Sequence, residues 1–212
     1  MHKLYYAPGA ASLAVHWMLI EIGAPFETAA LDLEKKDQKS AGYLKINPAG
    51  MVPTLLVGGE PFAETAAILL WLAEQHPAAG FHVAPGDPLR PRYLQQMFYL
   101  ANTMQPAFRS WFYPEEAAGS QNADVAKDCA RAKIEAAWTT IDAQLSEGRQ
   151  FLLGDTMTAP DFLVTMLTRW SRNMPKPATE WPQVGAYVAR MKKQAGLIEV
   201  HRREGLTEWI SA

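Results

Sequence analysis

Two hydroxyl-bearing residues stand where the chain is expected to enter a helix. Ser12 follows the turn-forming pair Pro8-Gly9, and Thr65 opens a run of apolar residues. The first N–H groups of a helix have no partner inside the helix, and the helix dipole adds partial positive charge there. Each position therefore suits an anionic group, and each hydroxyl can serve as a helix cap or as a donor to a ligand.

Most other chemistries find little support in the composition. Cys129 is the single cysteine of the 212 residues, which excludes a disulfide within the chain and favours a reducing, cytoplasmic compartment. The five histidines form no HxxxH pair, so we predict no metal site. The formal net charge of -2 does not indicate a nucleic-acid partner. We expect no membrane span, because the apolar run at 66–73 is far shorter than the ~20 residues that a span requires.

The elements that must position Ser12 and Thr65 alternate between strand-like and helix-like patterns. Strands are predicted at 3–6, 26–33, 54–57 and 61–63, and helices at 12–23 and 65–75. A loop at 47–53, with two prolines and a glycine, precedes the third strand. The order β-α-β, loop, β-β-α is typical of a mixed sheet with helices on its faces, the thioredoxin-like plan.

The rest of the chain is predicted to be helical. Residues 78–88 are rich in Pro, Gly and Ala, as is typical of a linker. Beyond them, Ile134, Trp138, Ile141 and Leu145 recur at spacings of four, three and four, which places them on one face of a helix.

A further helix start is predicted at Thr158, which can cap the helix while Asp161 reaches back to the cap. We therefore predict an α/β plus all-α protein. Its thioredoxin-like domain covers residues 1–79, and its helical bundle domain covers residues 87–212.

Four stretches together resemble the glutathione S-transferases, particularly the bacterial members. In chain order they are KLYYAPGAAS, INPAGMVPTL, FAETAAILLWLAE and FLLGDTMTAPDFLV. Each stretch is weak alone, but their order and spacing extend over nearly the whole chain. The resemblance implies a homodimeric detoxification enzyme that activates the thiol of glutathione for attack on hydrophobic electrophiles. Glutathione-dependent peroxide reduction is a further activity that it implies.

The resemblance also implies contacts to glutathione. In the family, the residue before a cis-proline offers its backbone N–H and C=O to the cysteinyl part of glutathione, and here that residue is Val52, before Pro53. Glu64 and Thr65 stand where the family binds the γ-glutamyl amine and carboxylate. The family usually has serine at the second position, and threonine keeps its hydroxyl.

A lysine is expected at the second carboxylate of glutathione. Lys36 aligns with a lysine that contacts the glycyl carboxylate in the beta-like bacterial members. Lys35 and Lys39 are close enough in sequence to take its place, and surface lysines are often only solvated.

The catalytic stretch departs from the beta-like pattern. Those relatives carry PGACS, whereas this chain has Ala11 in place of the cysteine, directly before Ser12. The resemblance still implies that Ala11 is one of the glutathione-binding residues. Cys129 is expected in a helix of the second domain, so no thiol is available for a mixed disulfide at this site. Cysteine-based thioltransferase and dehydroascorbate-reductase chemistry is therefore disfavoured.

Conjugation instead depends on the thiol of glutathione itself. An unperturbed thiol has a pKa of about 8.5, and a hydrogen bond to the sulfur together with a helix dipole favours the thiolate. The resemblance puts Ser12 first as the donor and Tyr6 second, while backbone amides alone are a third possibility. The structural alternatives are a helix cap for Ser12 and core packing for Tyr6.

The electrophile is expected against the first long helix of the second domain. The resemblance places it between the domains, with Asn102, Gln105, Arg109 and Trp111 as candidate contacts. Gln105 aligns with a histidine of the beta-like active site. Aromatic and methionine side chains would form an adaptable apolar wall, although at least half of them are expected in the core. Pro106 should kink or end this helix locally.

Two non-enzymatic alternatives remain for a chain of this type. One is a non-catalytic protein that binds glutathione or hydrophobic ligands, and the other is a regulatory interaction module of the same fold. The intact stretch NPAGMVP and the pair Glu64-Thr65 argue against the regulatory module, because such modules can lose these residues.

Overall fold

A four-stranded mixed sheet organises the first part of the chain. Its strands are β1 (His2–Tyr6), β2 (Phe26–Ala30), β3 (Thr54–Val57) and β4 (Glu60–Ala63). Their order is β2-β1-β3-β4, with β1 parallel to β2, and with β3 antiparallel to both β1 and β4. This computed structural model describes residues 1–210. It confirms the predicted thioredoxin-like plan.

Three helices are interleaved with these strands: α1 (Ser12–Ile22), α2 (Ala41–Leu44) and α3 (Thr65–Gln75). Helix α1 packs against both β1 and α3, and its residues from Ser12 to Leu19 are buried. This explains why the α1 sequence is apolar on all sides rather than on one stripe. The helix ends at Gly23, whose φ of 71° is the left-handed conformation that glycine adopts at no steric cost.

Four chain segments leave the sheet at the same end. The last residue of β1, Tyr6, lies opposite Ala30 at the end of the parallel strand β2. Thr54, which begins β3, lies opposite Tyr5 on one side and Ala63, the last residue of β4, on the other. The segments after β1, β2 and β4 therefore meet the loop before β3. Each of these segments carries a predicted glutathione contact.

The chain forms two compact units, and the second extends from Val83 to Met191. Its helices are α4 (Arg90–Tyr99), α5 (Gln105–Phe112), α6 (Pro114–Ala118), α7 (Ala123–Leu145), α8 (Ala159–Trp170) and α9 (Pro182–Met191). A π-helical turn, Leu100–Met104, joins α4 to α5 and lies directly before Gln105-Pro106. The break expected near Pro106 thus takes the form of a π turn, because proline has no N–H to continue the α-helical pattern.

The start of α8 is a buried capping box. The Thr158 backbone N–H donates to the Asp161 carboxylate at 2.9 Å, and the Tyr187 hydroxyl donates to the same carboxylate at 3.1 Å. The backbone N–H of Leu152 is a further donor, at 3.1 Å. Burial raises the pKa of Asp161 to about 6, although these hydrogen bonds act in the opposite direction.

The predicted domain boundary needs a correction at the C-terminal end. The helical domain is predicted to cover residues 87–212, of which the last two lie outside the described residues, whereas residues 192–210 belong to the first unit together with residues 1–82. Helix α10 (Ala195–Glu204) packs against α1, and its Leu197 and Val200 are buried. A helical periodicity does not reveal which core a helix joins, so the sequence did not indicate this return.

Candidate functional site

The loop before β3 contains a residue, Val52, whose backbone polar groups are free to bind a ligand. The peptide bond between Val52 and Pro53 is cis, as the family resemblance implied. Within residues 1–210, neither the N–H nor the C=O of Val52 has a hydrogen-bond partner. Both groups are therefore available to pair with an extended peptide.

Two buried side chains stabilise this loop through hydrogen bonds to the Met51 carbonyl. The Tyr43 hydroxyl, from α2, donates to the Met51 carbonyl at 2.6 Å, and Asn47 Nδ2 donates to the same carbonyl at 3.0 Å. Both groups also contact the hydroxyl of the fully buried Thr54, at 2.8 and 2.9 Å. Burial raises the pKa of the Tyr43 phenol, so the phenol stays protonated at neutral pH.

The glycine of this loop is required by close packing. Gly50 has a φ of 60°, and a Cβ at this position would lie 2.8 Å from the backbone oxygen of Gln38. The same Cβ would lie 2.8 Å from Lys39 Nζ, which donates to the Ala49 carbonyl at 3.1 Å. Only glycine fits here without a shift in the neighbouring segment.

The starts of helices α1 and α3 face each other. The Thr65 hydroxyl donates to the Ala11 carbonyl at 3.4 Å, which brings two predicted contacts together. Glu64 precedes α3 with a φ of 72°, an uncommon value for a residue other than glycine, and its side chain is exposed. Such conformations cluster at ligand sites, where the surrounding structure maintains them.

Ser12 lies inside the turn rather than on its surface. Its side chain is fully buried, and its hydroxyl accepts the Ala7 N–H at 3.1 Å and donates to the Ala7 carbonyl at 3.2 Å. It does not cap α1, which begins at Ser12 itself. The hydroxyl could donate to a ligand sulfur only by releasing the Ala7 carbonyl. The backbone N–H groups of Ala11 and Ser12, in contrast, have no partner among the described residues.

Tyr6 packs beside a buried pair. Its ring centroid lies 5.1 Å from that of His16 in α1, and its hydroxyl has no hydrogen-bond partner within residues 1–210. His16 Nδ1 lies 2.8 Å from the carboxylate of Glu204 in α10, and both side chains are almost completely buried. Burial raises the pKa of Tyr6, and the Glu204 carboxylate raises it further.

The three candidate lysines have different surroundings. Lys35 pairs with the Asp32 carboxylate at 3.0 Å, and Lys39 is bound to the loop carbonyl of Ala49. Lys36 is exposed, has a φ of 60°, and makes no side-chain hydrogen bond or ion pair among the residues that the structure describes. Of the three, Lys36 is the most available for a carboxylate.

Comparison with known proteins decides the family. Residues 2–74 match the family "Glutathione S-transferase, N-terminal domain", and residues 87–190 match "Glutathione S-transferase, C-terminal domain". Glutathione S-transferase GST-4.5 of Xanthomonas campestris pv. campestris is 32% identical over 209 residues, which cover 96% of this chain and 99% of that protein. The chain belongs to the glutathione S-transferase family.

Solved transferases share the fold over almost the full length. A ternary complex of BphK, a bacterial glutathione S-transferase, superposes with a TM-score of 0.85 at 32% identity, covering 96% of this chain and 100% of that one. A sphingomonad glutathione S-transferase complexed with glutathione gives a TM-score of 0.83 at 32% identity, with 96% and 99% coverage. This chain is therefore an enzyme of the transferase class.

The predicted electrophile contacts all lie in the second unit of this transferase. Arg109 is bound to the Glu116 carboxylate at 2.8 and 2.5 Å, and its guanidinium lies 4.0 Å from the Tyr113 ring centroid. Lys127 Nζ lies 4.6 Å from the Trp111 ring centroid. Asn102 is exposed in the π turn, and Gln105 is half-buried at the start of α5.

The aromatic residues of this segment divide between core and surface. Phe108 is fully buried and packs against Trp138 and Trp170, while Phe98 and Phe112 are 52% and 44% exposed. None of the helices in residues 1–210 has the length and apolar character needed to cross a membrane. Within the same residues, no three His, Cys, Asp or Glu side chains gather as metal ligands.

Several residues of this candidate site were not predicted from the sequence. Tyr43, Thr54, His16 and Glu204 support the loop before β3 or the turn before α1. Asn47 was noticed only as part of the loop. Tyr43 and Asn47 are four residues apart with a proline close behind, and this local spacing is the one available signal. His16 and Glu204 are 188 residues apart and offered none.

Proposed function

We propose that glutathione binds at the end of the sheet where the four segments meet. The free backbone groups of Val52 support this proposal, because an extended tripeptide can pair with them as an added strand. The N-terminus of α3, with Glu64 and Thr65, would bind the γ-glutamyl end. Lys36 would bind the glycyl carboxylate, and Pro53 would hold Val52 in its observed orientation.

We further propose that the N-terminus of α1 stabilises the thiolate of glutathione. The unpaired N–H groups of Ala11 and Ser12 and the helix dipole favour a negative sulfur. Lowering a thiol pKa from about 8.5 by one to two units raises the thiolate fraction at neutral pH about tenfold or more. In this account the buried Ser12 hydroxyl shapes the turn, and Tyr6 is not the main donor.

The reaction that follows is nucleophilic attack on a hydrophobic electrophile. The thiolate sulfur supplies the electron pair of the new carbon–sulfur bond, and the leaving group departs with the pair of the bond that breaks. The thiol proton passes to solvent. Asn102, Gln105, Arg109 and Trp111 remain candidate contacts to the electrophile. As family membership suggests, we propose a cytoplasmic homodimer that acts in detoxification.

Titration of bound glutathione tests this function. Calorimetry with glutathione and conjugation of a nitroaromatic substrate should both give a signal, and absence of both would contradict the proposal. The thiolate ultraviolet absorbance of the complex then gives the pKa of the bound sulfur. In Ser12→Ala this pKa should stay below that of free glutathione. A return to the free value would assign thiol activation to the hydroxyl instead.

Ser171→Ala is a matched control. Ser171 is also buried, accepts a backbone N–H (Ala178, 2.8 Å) and donates to a backbone carbonyl (Thr168, 2.7 Å), but it lies in the second unit. Each variant should lower the free energy of unfolding by about 1–3 kcal/mol, because two buried backbone groups lose a partner. Neither loss of stability should change the pKa of the bound thiol.

A further inference from the structure

The hydrogen bonds behind the loop before β3 have only one consistent direction. The single Tyr43 proton goes to the Met51 carbonyl, so the Thr54 hydroxyl must donate to Tyr43 across their 2.8 Å contact. Asn47 Nδ2 has two protons, one for Met51 and one for Thr54. Each side-chain group in this cluster therefore has a partner, and the Met51 carbonyl accepts two donors.

This arrangement sets the orientation of the next amide. The peptide bond between Met51 and Val52 is planar and trans, so the carbonyl of Met51 and the N–H of Val52 point in opposite directions. The two donors hold the carbonyl towards the buried side chains of Tyr43 and Asn47. The N–H of Val52 must then point away from them, and it has no partner within the described chain.

We infer that Tyr43, Asn47 and Thr54 are positioning residues that aim the Val52 N–H at the cysteinyl part of glutathione. They act through the Met51 carbonyl and do not touch the ligand. The inference rests on the proposed glutathione site. It assigns to Tyr43 a role that its burial among α2 and sheet residues would otherwise leave to simple packing.

Removing one hydroxyl at a time tests the inference. In Tyr43→Phe the Met51 carbonyl keeps one donor and the Thr54 hydroxyl loses its acceptor. Thr54→Val removes the hydroxyl at nearly constant volume, whereas Thr54→Ser retains it. The KM for glutathione should rise about five- to tenfold in Tyr43→Phe and Thr54→Val, while kcat at saturating glutathione stays within about twofold. Thr54→Ser should behave like the wild type.

Tyr5→Phe is the control for packing. The Tyr5 ring lies 5.5 Å from that of Tyr43, and its hydroxyl makes no hydrogen bond within residues 1–210. This variant should leave the KM for glutathione unchanged. All assays are run well below the thermal midpoint of the least stable variant.

The possible outcomes separate the two proposals. A wild-type protein that binds no glutathione by calorimetry overturns the proposed function and this inference with it. A wild-type protein that binds, alongside Tyr43→Phe and Thr54→Val variants with unchanged KM, overturns the inference alone. Equal losses in Thr54→Ser and Thr54→Val, or a fall in kcat with no change in KM, would also overturn it, because the hydroxyl would then not be orienting the amide.

Discussion

The carboxylate of Glu204 accepts a hydrogen bond from the backbone N–H of Gly9 at 2.8 Å, across 195 residues of sequence. Its other oxygen lies 2.8 Å from His16 Nδ1. Glu204 thus connects α10 to the turn between β1 and α1, directly before the proposed thiolate site. The helix that ends the first unit supports the residues that begin it.

Replacement of Glu204 by alanine should loosen this turn. We expect the free energy of unfolding to fall by about 2–4 kcal/mol, because the change leaves the buried His16 ring and the half-buried Gly9 N–H without this acceptor. Denaturant unfolding measures the loss, and the affinity for glutathione should fall in parallel. Glu199→Ala is the control, since the Glu199 side chain is 30% exposed and, within residues 1–210, forms ion pairs with Arg202 and Arg203 alone. Equal effects of the two substitutions would refute a special role for Glu204.

Titration of Asp161 should give the stability of the transferase a particular pH dependence. Its pKa is about 6 in the folded protein and about 4 in an unfolded chain, so the folded state binds the proton more tightly. This contribution is fully present below about pH 4 and is lost as the pH rises from about 4 to about 6. At about 1.4 kcal/mol per pKa unit, the loss is at most about 3 kcal/mol.

Asp161→Asn isolates this contribution. The variant should be less stable at neutral pH by about 1–3 kcal/mol, because an amide cannot accept all the donors of the capping box. Its stability should also fall less than that of the wild type between pH 4 and 7, as measured by urea unfolding. Thr165→Val removes a hydroxyl that contacts Tyr187 and should keep the wild-type pH dependence. Parallel pH curves for the wild type and Asp161→Asn would disprove the raised pKa.

Among the lysines, Lys36→Ala should weaken glutathione binding selectively. The KM for glutathione should rise about two- to fivefold, the range expected for a solvent-exposed ion pair, and the effect should shrink at high salt. Lys35→Ala removes a lysine already paired with Asp32 and should change little. A larger rise in the KM for glutathione on substituting Lys35 or Lys39 would assign the carboxylate contact to that residue instead.

Ala11→Cys should introduce the thiol chemistry that this site lacks. A cysteine thiolate at the start of α1 would attack oxidised glutathione, form a mixed disulfide and release one molecule of reduced glutathione. Intact-mass spectrometry should detect the adduct in Ala11→Cys combined with Cys129→Ser. The single variant Cys129→Ser should conjugate like the wild type, because Cys129 lies exposed on α7. No adduct at position 11 would show that this position does not face bound glutathione.

Sequence reasoning succeeded where the signals were local. Hydrophobic periodicity and the positions of glycine, proline and capping residues predicted all four strands of the first unit and the capping box of α8. The second strand is shorter than predicted, ending at Ala30 rather than residue 33. For the cis bond before Pro53, the residues alone did not suffice, and the family resemblance supplied the expectation.

The sequence was less informative where contacts between residues far apart in the chain determine the structure. The sequence left open whether the Ser12 hydroxyl caps the helix or binds a ligand, and it did not indicate that the tight turn at Pro8-Gly9 brings Ala7 within hydrogen-bond distance of that hydroxyl. The partner of His16 lies near the other end of the chain, in a helix whose sequence gives no indication of its destination. Such contacts depend on the assembled tertiary structure, which periodicity does not encode.

The return of the chain from Lys192 to the first unit has a consequence for biosynthesis and engineering. During translation, the segment that carries Glu204 leaves the ribosome after residues 83–191, so the first unit is completed only after the second unit has been made. A chimera that exchanges the first unit between relatives would likewise need two pieces of sequence, one that precedes residues 83–191 and one that follows them.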